Sequence, residues 1–179
     1  MLYQSFESNT CAICVVANLL SLYGVTCSRE EAACLLETTD SSSVAVTHSK
    51  LLSAIASQLG PKLSLGWRSF RRFSFEKVLR VLTIVSADGA PAVLTFHIRH
   101  PRKRWFGLHC AIAVQADETG IYLVDSLGRR NGQQPNATIT PHESKHGWAV
   151  VGAPIIVTEY PVRILDGLPR VPQKESTSR

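Results

Sequence analysis

A chain of 179 residues with 45% hydrophobic and 18% charged residues has room for one domain of ordinary size, and it can bury enough apolar surface to fold without a disulfide or metal staple. Those proportions exclude a disordered chain, a collagen and a coiled coil. The net charge of +5 is concentrated in two clusters: Arg68, Arg71, Arg72, Lys77 and Arg80 against Glu76, and Arg99, Arg102, Lys103 and Arg104 with no acid among them, so the remainder is net negative. A solvated face is the plain explanation of such clusters; a basic rim toward an acidic partner, membrane headgroups or nucleic acid is the sharper one.

Five cysteines, at 11, 14, 27, 34 and 110, are odd in number and scattered. That suits a reducing compartment, with a thiol kept for chemistry or packing, better than a disulfide framework. Residues 8–28 carry no charge, but Ser8, Asn9, Thr10, Asn18, Ser21, Thr26 and Ser28 make the stretch too polar for a membrane span. No Lys or Arg precedes Arg29, so the positive start of a secretory signal is missing. The expectation is a soluble protein, cytoplasmic or exported by a specialised route without a cleaved signal.

Taken in chain order, Ser8, Asn9 and Thr10 are helix caps ahead of Ile13, Val16, Ala17 and Leu20, which recur on one helical face up to Tyr23-Gly24. Ser28-Arg29-Glu30-Glu31 is a capping box for a second helix to about Glu37. Thr47 opens a third helix through Leu51, Leu52, Ile55 and Leu59, closed by Gly60-Pro61, and Ser74 opens a fourth with Val78, Leu79, Leu82 and Val85 inward. The second half reads as strands over 92–98, 109–115 and 121–125, with Asp117 to Gly120 as a hairpin turn, and a further strand within 148–160 broken near Gly152-Ala153-Pro154. The fold class is therefore α+β, with N-terminal helices followed by an antiparallel β-sheet, in one domain over 1–166 and a mobile tail over 167–179.

Cys11 stands at the start of the first helix, where unpaired N–H groups and the helix dipole favour an anion and lower a thiol pKa. That is the arrangement a cysteine nucleophile needs. His109 opens one strand of the hairpin and Asp125 closes the other, which makes them neighbours at its open end. The carboxylate can hold one ring nitrogen while the other faces the helix start. Gln4, seven residues before Cys11, can place its amide beside the Cys11 N–H as an oxyanion donor. Cys14, Cys27, Cys34 and Cys110 read as small buried hydrophobes. A redox Cys-x-x-Cys is disfavoured because too few residues precede Cys11 for a strand, and a metal site because His109 and Cys110, adjacent in a strand, point to opposite faces. No metal and no cofactor are expected.

The run from Gln4 through Cys11-Ala-Ile-Cys-Val-Val-Ala-Asn-Leu-Leu-Ser-Leu to Tyr23-Gly24, and the block from His109-Cys-Ala-Ile-Ala-Val to Asp125-Ser-Leu-Gly128, resemble the papain-like peptidases that cleave double-glycine leaders from bacteriocins. The resemblance covers residues 4–128 and implies a bacterial protein with a papain-like cysteine peptidase fold. It makes Cys11 the nucleophile, His109 the base, Asp125 the residue that orients it and Gln4 the oxyanion donor. Ala12 stands where that family has glycine. The chain carries no transporter span or ATP-binding glycine loop, so a free-standing form is implied. Members of the wider group cut proteins or deamidate glutamine, because both reactions start with thiolate attack on an amide carbonyl.

The expected function is hydrolysis of peptide bonds by a Cys-His-Asp triad, with glutamine deamidation as the alternative on the same residues. The substrate is a protein or peptide, with acidic segments favoured by the basic loop Arg99, Arg102, Lys103, Arg104 and Trp105. The alternative from a different class is a non-catalytic module that holds an acidic partner or nucleic acid on the basic loops, with Trp67, Phe70, Phe73, Trp105 and Phe106 available for stacking. Nucleic acid is disfavoured because no recognised binding motif is present.

Overall fold

The computed structural model describes residues 1–3, 10–38, 46–60, 63–100, 106–128, 136–141, 148–153 and 155–172. Among them lie α1 (Cys11–Leu22), α2 (Arg29–Leu35), α3 (His48–Leu59), β1 (Gly66–Phe70), α4 (Phe75–Ala87), β2 (Ala92–Arg99), β3 (Phe106–Asp117), β4 (Gly120–Val124), β5 (Ala137–Pro141), β6 (Trp148–Val151), β7 (Ile155–Val157) and β8 (Val162–Asp166). The pairings are antiparallel in the order β1-β8-β2-β3-β4-β5-β6-β7. β7 also pairs back on β2, at Ile98↔Val157 and Arg99↔Ile156, so β2 to β7 close into a barrel with β8 and β1 as an extension. Among the described residues, no helix is long and apolar enough to cross a membrane.

The α+β arrangement agrees with the sequence patterns, with one change of order: β1 lies between α3 and α4. The four helices begin and end close to their sequence signals. The capping box of α2 is formed, with Glu31 N–H donating to Ser28 Oγ at 3.1 Å and Ser28 N–H to Glu31 Oε2 at 2.7 Å. α2 stops at Leu35, before Glu37 takes a positive φ of 50°. α1 ends as Tyr23-Gly24 suggests, with Gly24 at φ +78° and its N–H donating to the Ser21 carbonyl.

Strand alternation sorts the apolar side chains into two cores. On one face of the sheet, Val93, Cys110, Ile112, Val124 and Leu165 meet α1 to α3 through Leu19, Leu20, Leu36, Leu51 and Ile55. On the other, Leu94, Phe96, Ile98, Ala111, Leu123 and Ile139 form the second core with Val78 and Leu82 of α4. Residues 12–20 of α1 are all buried, so α1 is a central helix and presents only its ends.

Residues 167–172, expected in the tail, are docked. Leu168 is 5% exposed, Tyr23 Oη donates to the Pro169 carbonyl at 2.6 Å, and Val171 N–H donates to the Gly89 carbonyl at 3.1 Å. A buried apolar side chain and backbone hydrogen bonds hold this segment, which proline content alone does not reveal. Residues 173–179 lie outside the described residues.

Cys14 is fully buried within α1. Cys14→Ser puts a hydroxyl there in place of the thiol, and we expect it to cost about 1–3 kcal/mol of folding stability, read by urea denaturation.

Candidate active site

Thr10 holds the cap position of α1, but its hydroxyl makes no capping hydrogen bond. It accepts instead from Arg29 Nη2 at 2.8 Å. The first-turn amides therefore receive no side-chain oxygen from Thr10, and Cys11, the first helical residue, sits among them. Ser8 and Asn9, also read as caps, lie outside the described residues.

β3 brings the second group. It pairs with β2 along its whole length, but with β4 only from Ile112↔Val124 onward. Among the described residues, 106–111 therefore have no strand partner on the β4 side, and α1 packs against β3. His109 Nε2 lies 3.0 Å from both carboxylate oxygens of Asp125, which directly follows β4. The two side chains are 1% and 0% exposed. The imidazole also sits edge-on to Phe96, its cross-strand partner, at 5.6 Å between centroids. With Nε2 on Asp125, Nδ1 is left for Cys11, and each of these two groups shifts the protonation of the other.

Asp125 is itself held on three sides. Leu127 N–H donates to Oδ1 at 2.7 Å. Asn136 spans the Asp125 backbone, with Oδ1 accepting from the Asp125 N–H and Nδ2 donating to the Asp125 carbonyl, both at 2.7 Å. Glycine is required around this clamp. A Cβ at Gly128 would lie 2.7 Å from the Asn136 carbonyl oxygen, and one at Gly152, whose φ is +99°, would lie 2.4 Å from it. Asn136 was not legible in the sequence, where it is one polar residue in a polar stretch.

Cys110 is the second residue the sequence did not disclose. It is buried, as read, but it is also the neighbour that does most to lower the Cys11 thiol pKa. Alternation does put His109 and Cys110 on opposite faces. Both nevertheless lower the Cys11 thiol pKa.

These contacts set the protonation states. The Cys110 hydrogen bond, and after it the His109 bond and charge, hold the Cys11 thiol well below its ordinary value despite burial. Burial pushes the His109 imidazole down, but the charge and hydrogen bond of Asp125, then Cys11, outweigh it and lift it to about 10. The bond to Cys11, burial and the Cys11 charge push the Cys110 thiol up, so Cys110 keeps its proton and donates. The two shifts have opposite signs, and both favour the charged forms of Cys11 and His109. We expect Cys110→Ala to remove that donor and shift the acid limb of Cys11 alkylation to higher pH, measured by rate against pH with an iodoacetamide-type reagent.

Cys11, His109 and Asp125 thus come together. Gln4, Arg102, Lys103, Arg104 and Trp105 lie outside the described residues. Arg99 is exposed at the end of β2, lining a cavity of about 370 Å³ with Phe106, Thr158, Glu159 and Tyr160. Phe106, the cross-strand partner of Arg99, stands roughly 13 Å along β3 from Cys110. Among the described residues, no group of three or more His, Cys, Asp or Glu side chains is arranged to hold a metal ion.

No protein-family model matches the sequence, and no curated protein matches it. Solved structures do. The peptidase domain of Streptococcus ComA, a bifunctional ABC transporter involved in a quorum-sensing pathway, superposes with a TM-score of 0.51 at 15% identity, over 94% of this chain and 97% of that one. A protein from Bacillus anthracis described as a C39-like peptidase superposes with a TM-score of 0.50 at 16% identity, over 88% of this chain and 92% of that one. The chain has the fold of C39 peptidase domains.

Proposed function

We propose that this chain is a cysteine hydrolase of amide bonds with a papain-like fold, and in the first place a peptidase. One observation carries the reading: the line from buried Asp125 through buried His109 to half-buried Cys11 at the start of α1. The fold shared with two peptidase domains supports it. The Cys11 sulfur attacks the amide carbonyl carbon, a C–S bond forms, and the carbonyl electrons move to oxygen. The Cys11 N–H, with the Gln4 amide that the sequence resemblance implies, donates to that oxyanion. The C–N bond breaks as His109 gives its proton to the leaving nitrogen. A water then loses its proton to His109, attacks the thioester carbonyl and releases the acid, restoring the thiolate and imidazolium. Asp125 keeps the ring aligned throughout. These steps need no cofactor.

The test is digestion of a diverse synthetic peptide library, read by mass spectrometry, with Cys11→Ala protein as control. Backbone cleavage by the wild type alone supports a peptidase. Ammonia release from glutamine with the backbone intact moves the reading to the deamidase. No covalent change with either protein favours the binding module. The basic loop adds a further expectation. Exposed charges are screened over roughly 8–10 Å at physiological ionic strength. Replacing Arg102, Lys103 and Arg104 together by Ser should therefore raise KM for acidic peptides severalfold, flatten its salt dependence and leave kcat nearly unchanged. An unchanged KM at low and high salt removes the loop from the site.

A further inference from the structure

The sheet register extends the site away from Cys11. Thr95 on β2 stands opposite Cys110 on β3, and on its other side opposite Arg163 on β8. All three lie on the sheet face that packs α1 to α3, the face that also carries Val93, Ile112 and Leu165. Neighbouring strands are about 4.8 Å apart, so the Arg163 backbone is roughly 10 Å from that of Cys110, the residue that does most to lower the Cys11 thiol pKa.

Arg163 is exposed, yet its guanidinium is anchored. Its Nη1 lies 3.2 Å from His48 Nδ1, and His48 Nε2 lies 3.0 Å from the Thr95 hydroxyl, which is 5% exposed. The His48 ring is set edge-on to Trp67 at 4.8 Å, and Trp67 Nε1 donates to the His48 carbonyl at 3.1 Å. Burial, then the Arg163 charge, push the His48 imidazole below its ordinary value. A neutral ring accepts from Arg163 through Nδ1 and donates to Thr95 through Nε2. The partner of the arginine is thus uncharged, and among the described residues no carboxylate pairs with it. The result is a held cation with donors to spare, beside the reacting centre.

Resting on the hydrolase reading above, we propose that Arg163, oriented by His48, is a specificity residue that binds a substrate carboxylate, the side chain of a Glu or Asp two or three residues from the scissile bond on the side toward the start of α3 and β8. An extended peptide advances about 3.3–3.6 Å per residue. A carboxylate that far from the reacting carbonyl, added to the length of the arginine side chain, spans the gap. The planar fork suits a carboxylate and not a carboxamide.

Two measurements test this. In the peptide library digest, wild-type protein should prefer peptides with Glu or Asp at one of those positions over their Gln or Asn counterparts by about tenfold, the scale of one charge-assisted hydrogen bond. Arg163→Gln should erase the preference through KM, with kcat retained, and Arg163→Glu should turn it toward Lys. An equal preference in wild type and Arg163→Gln overturns the proposal while leaving the hydrolase reading intact. The second measurement needs no turnover. An acetylated, amidated tetra-alanine peptide with one alanine replaced by Glu is titrated into Cys11→Ala protein and the His48 imidazole resonances are followed by NMR. The Glu peptide should shift them, its Gln counterpart should not, and Arg163→Gln should abolish the response. If both peptides act alike, Arg163 is only a surface cation that anchors the start of α3, and the proposal fails even where no peptide is cleaved.

Discussion

Cys11→Ala is expected to lower kcat/KM by about 10⁴–10⁶-fold, the usual scale for loss of a nucleophile that acts as one unit with its base. It should leave the fold intact. The side chain is half-buried at the end of α1, and alanine is the best helix former. His109 keeps its bond to Asp125, so no buried charge is stranded. Circular dichroism and Tm separate loss of chemistry from loss of fold. An alanine variant that keeps wild-type turnover removes Cys11 from the reaction.

Asp125→Asn is expected to cost about 10²–10⁴-fold in kcat, with a smaller change in KM. The amide keeps the shape, so Asn136 can still clamp the backbone at this position. What is lost is the charge that lifts His109 to about 10 against the effect of burial. The sign follows. Without that carboxylate the imidazole pKa falls, the ring is neutral over more of the pH range, and its stabilisation of the Cys11 thiolate weakens. The Cys11 pKa then rises, so the acid limb of the rate profile moves to higher pH. In the wild type the thiolate persists as pH falls below the ordinary thiol range, and the imidazolium is lost only as pH rises through about 10. An Asn variant with an unchanged profile would mean that Asp125 acts by shape alone.

Much of this site was legible because its parts sit at element ends. Cys11 follows a run of cap residues, and His109 and Asp125 flank a hairpin whose turn is plain in the sequence, so elementary geometry puts them together. Asn136 and Cys110 were not legible. Asn136 reaches Asp125 from a segment eleven residues away, through side-chain bonds to backbone that no periodicity encodes. Cys110 acts on the Cys11 thiol from a stretch of β3 that, among the described residues, β4 does not reach, since their pairing starts at Ile112, a feature of register and not of composition. The strands β1, β5 and β8 were missed for a related reason. Gly66–Phe70 is half polar, Ala137–Pro141 is short and ends in proline, and Val162–Asp166 buries Ile164 and Leu165 in succession, on opposite faces. Each is stabilised by partners far along the chain, which outweigh weak local preference. The helices depend more on local caps and were read with small errors at their ends.

The most direct measurement is the rate of alkylation at each of the five cysteines against pH, resolved by peptide mass mapping. The thiolate, and not the thiol, is the reacting species, so the profile at each position reports its own pKa. Cys11 is predicted to react first, and to remain reactive near pH 6, well ahead of Cys14, Cys27, Cys34 and Cys110. Replacing His109 by Asn should shrink that advantage. If Cys11 reacts no faster than the other four thiols at that pH, or if its advantage is unchanged by the loss of His109, there is no thiolate–imidazolium pair and the proposed chemistry is wrong.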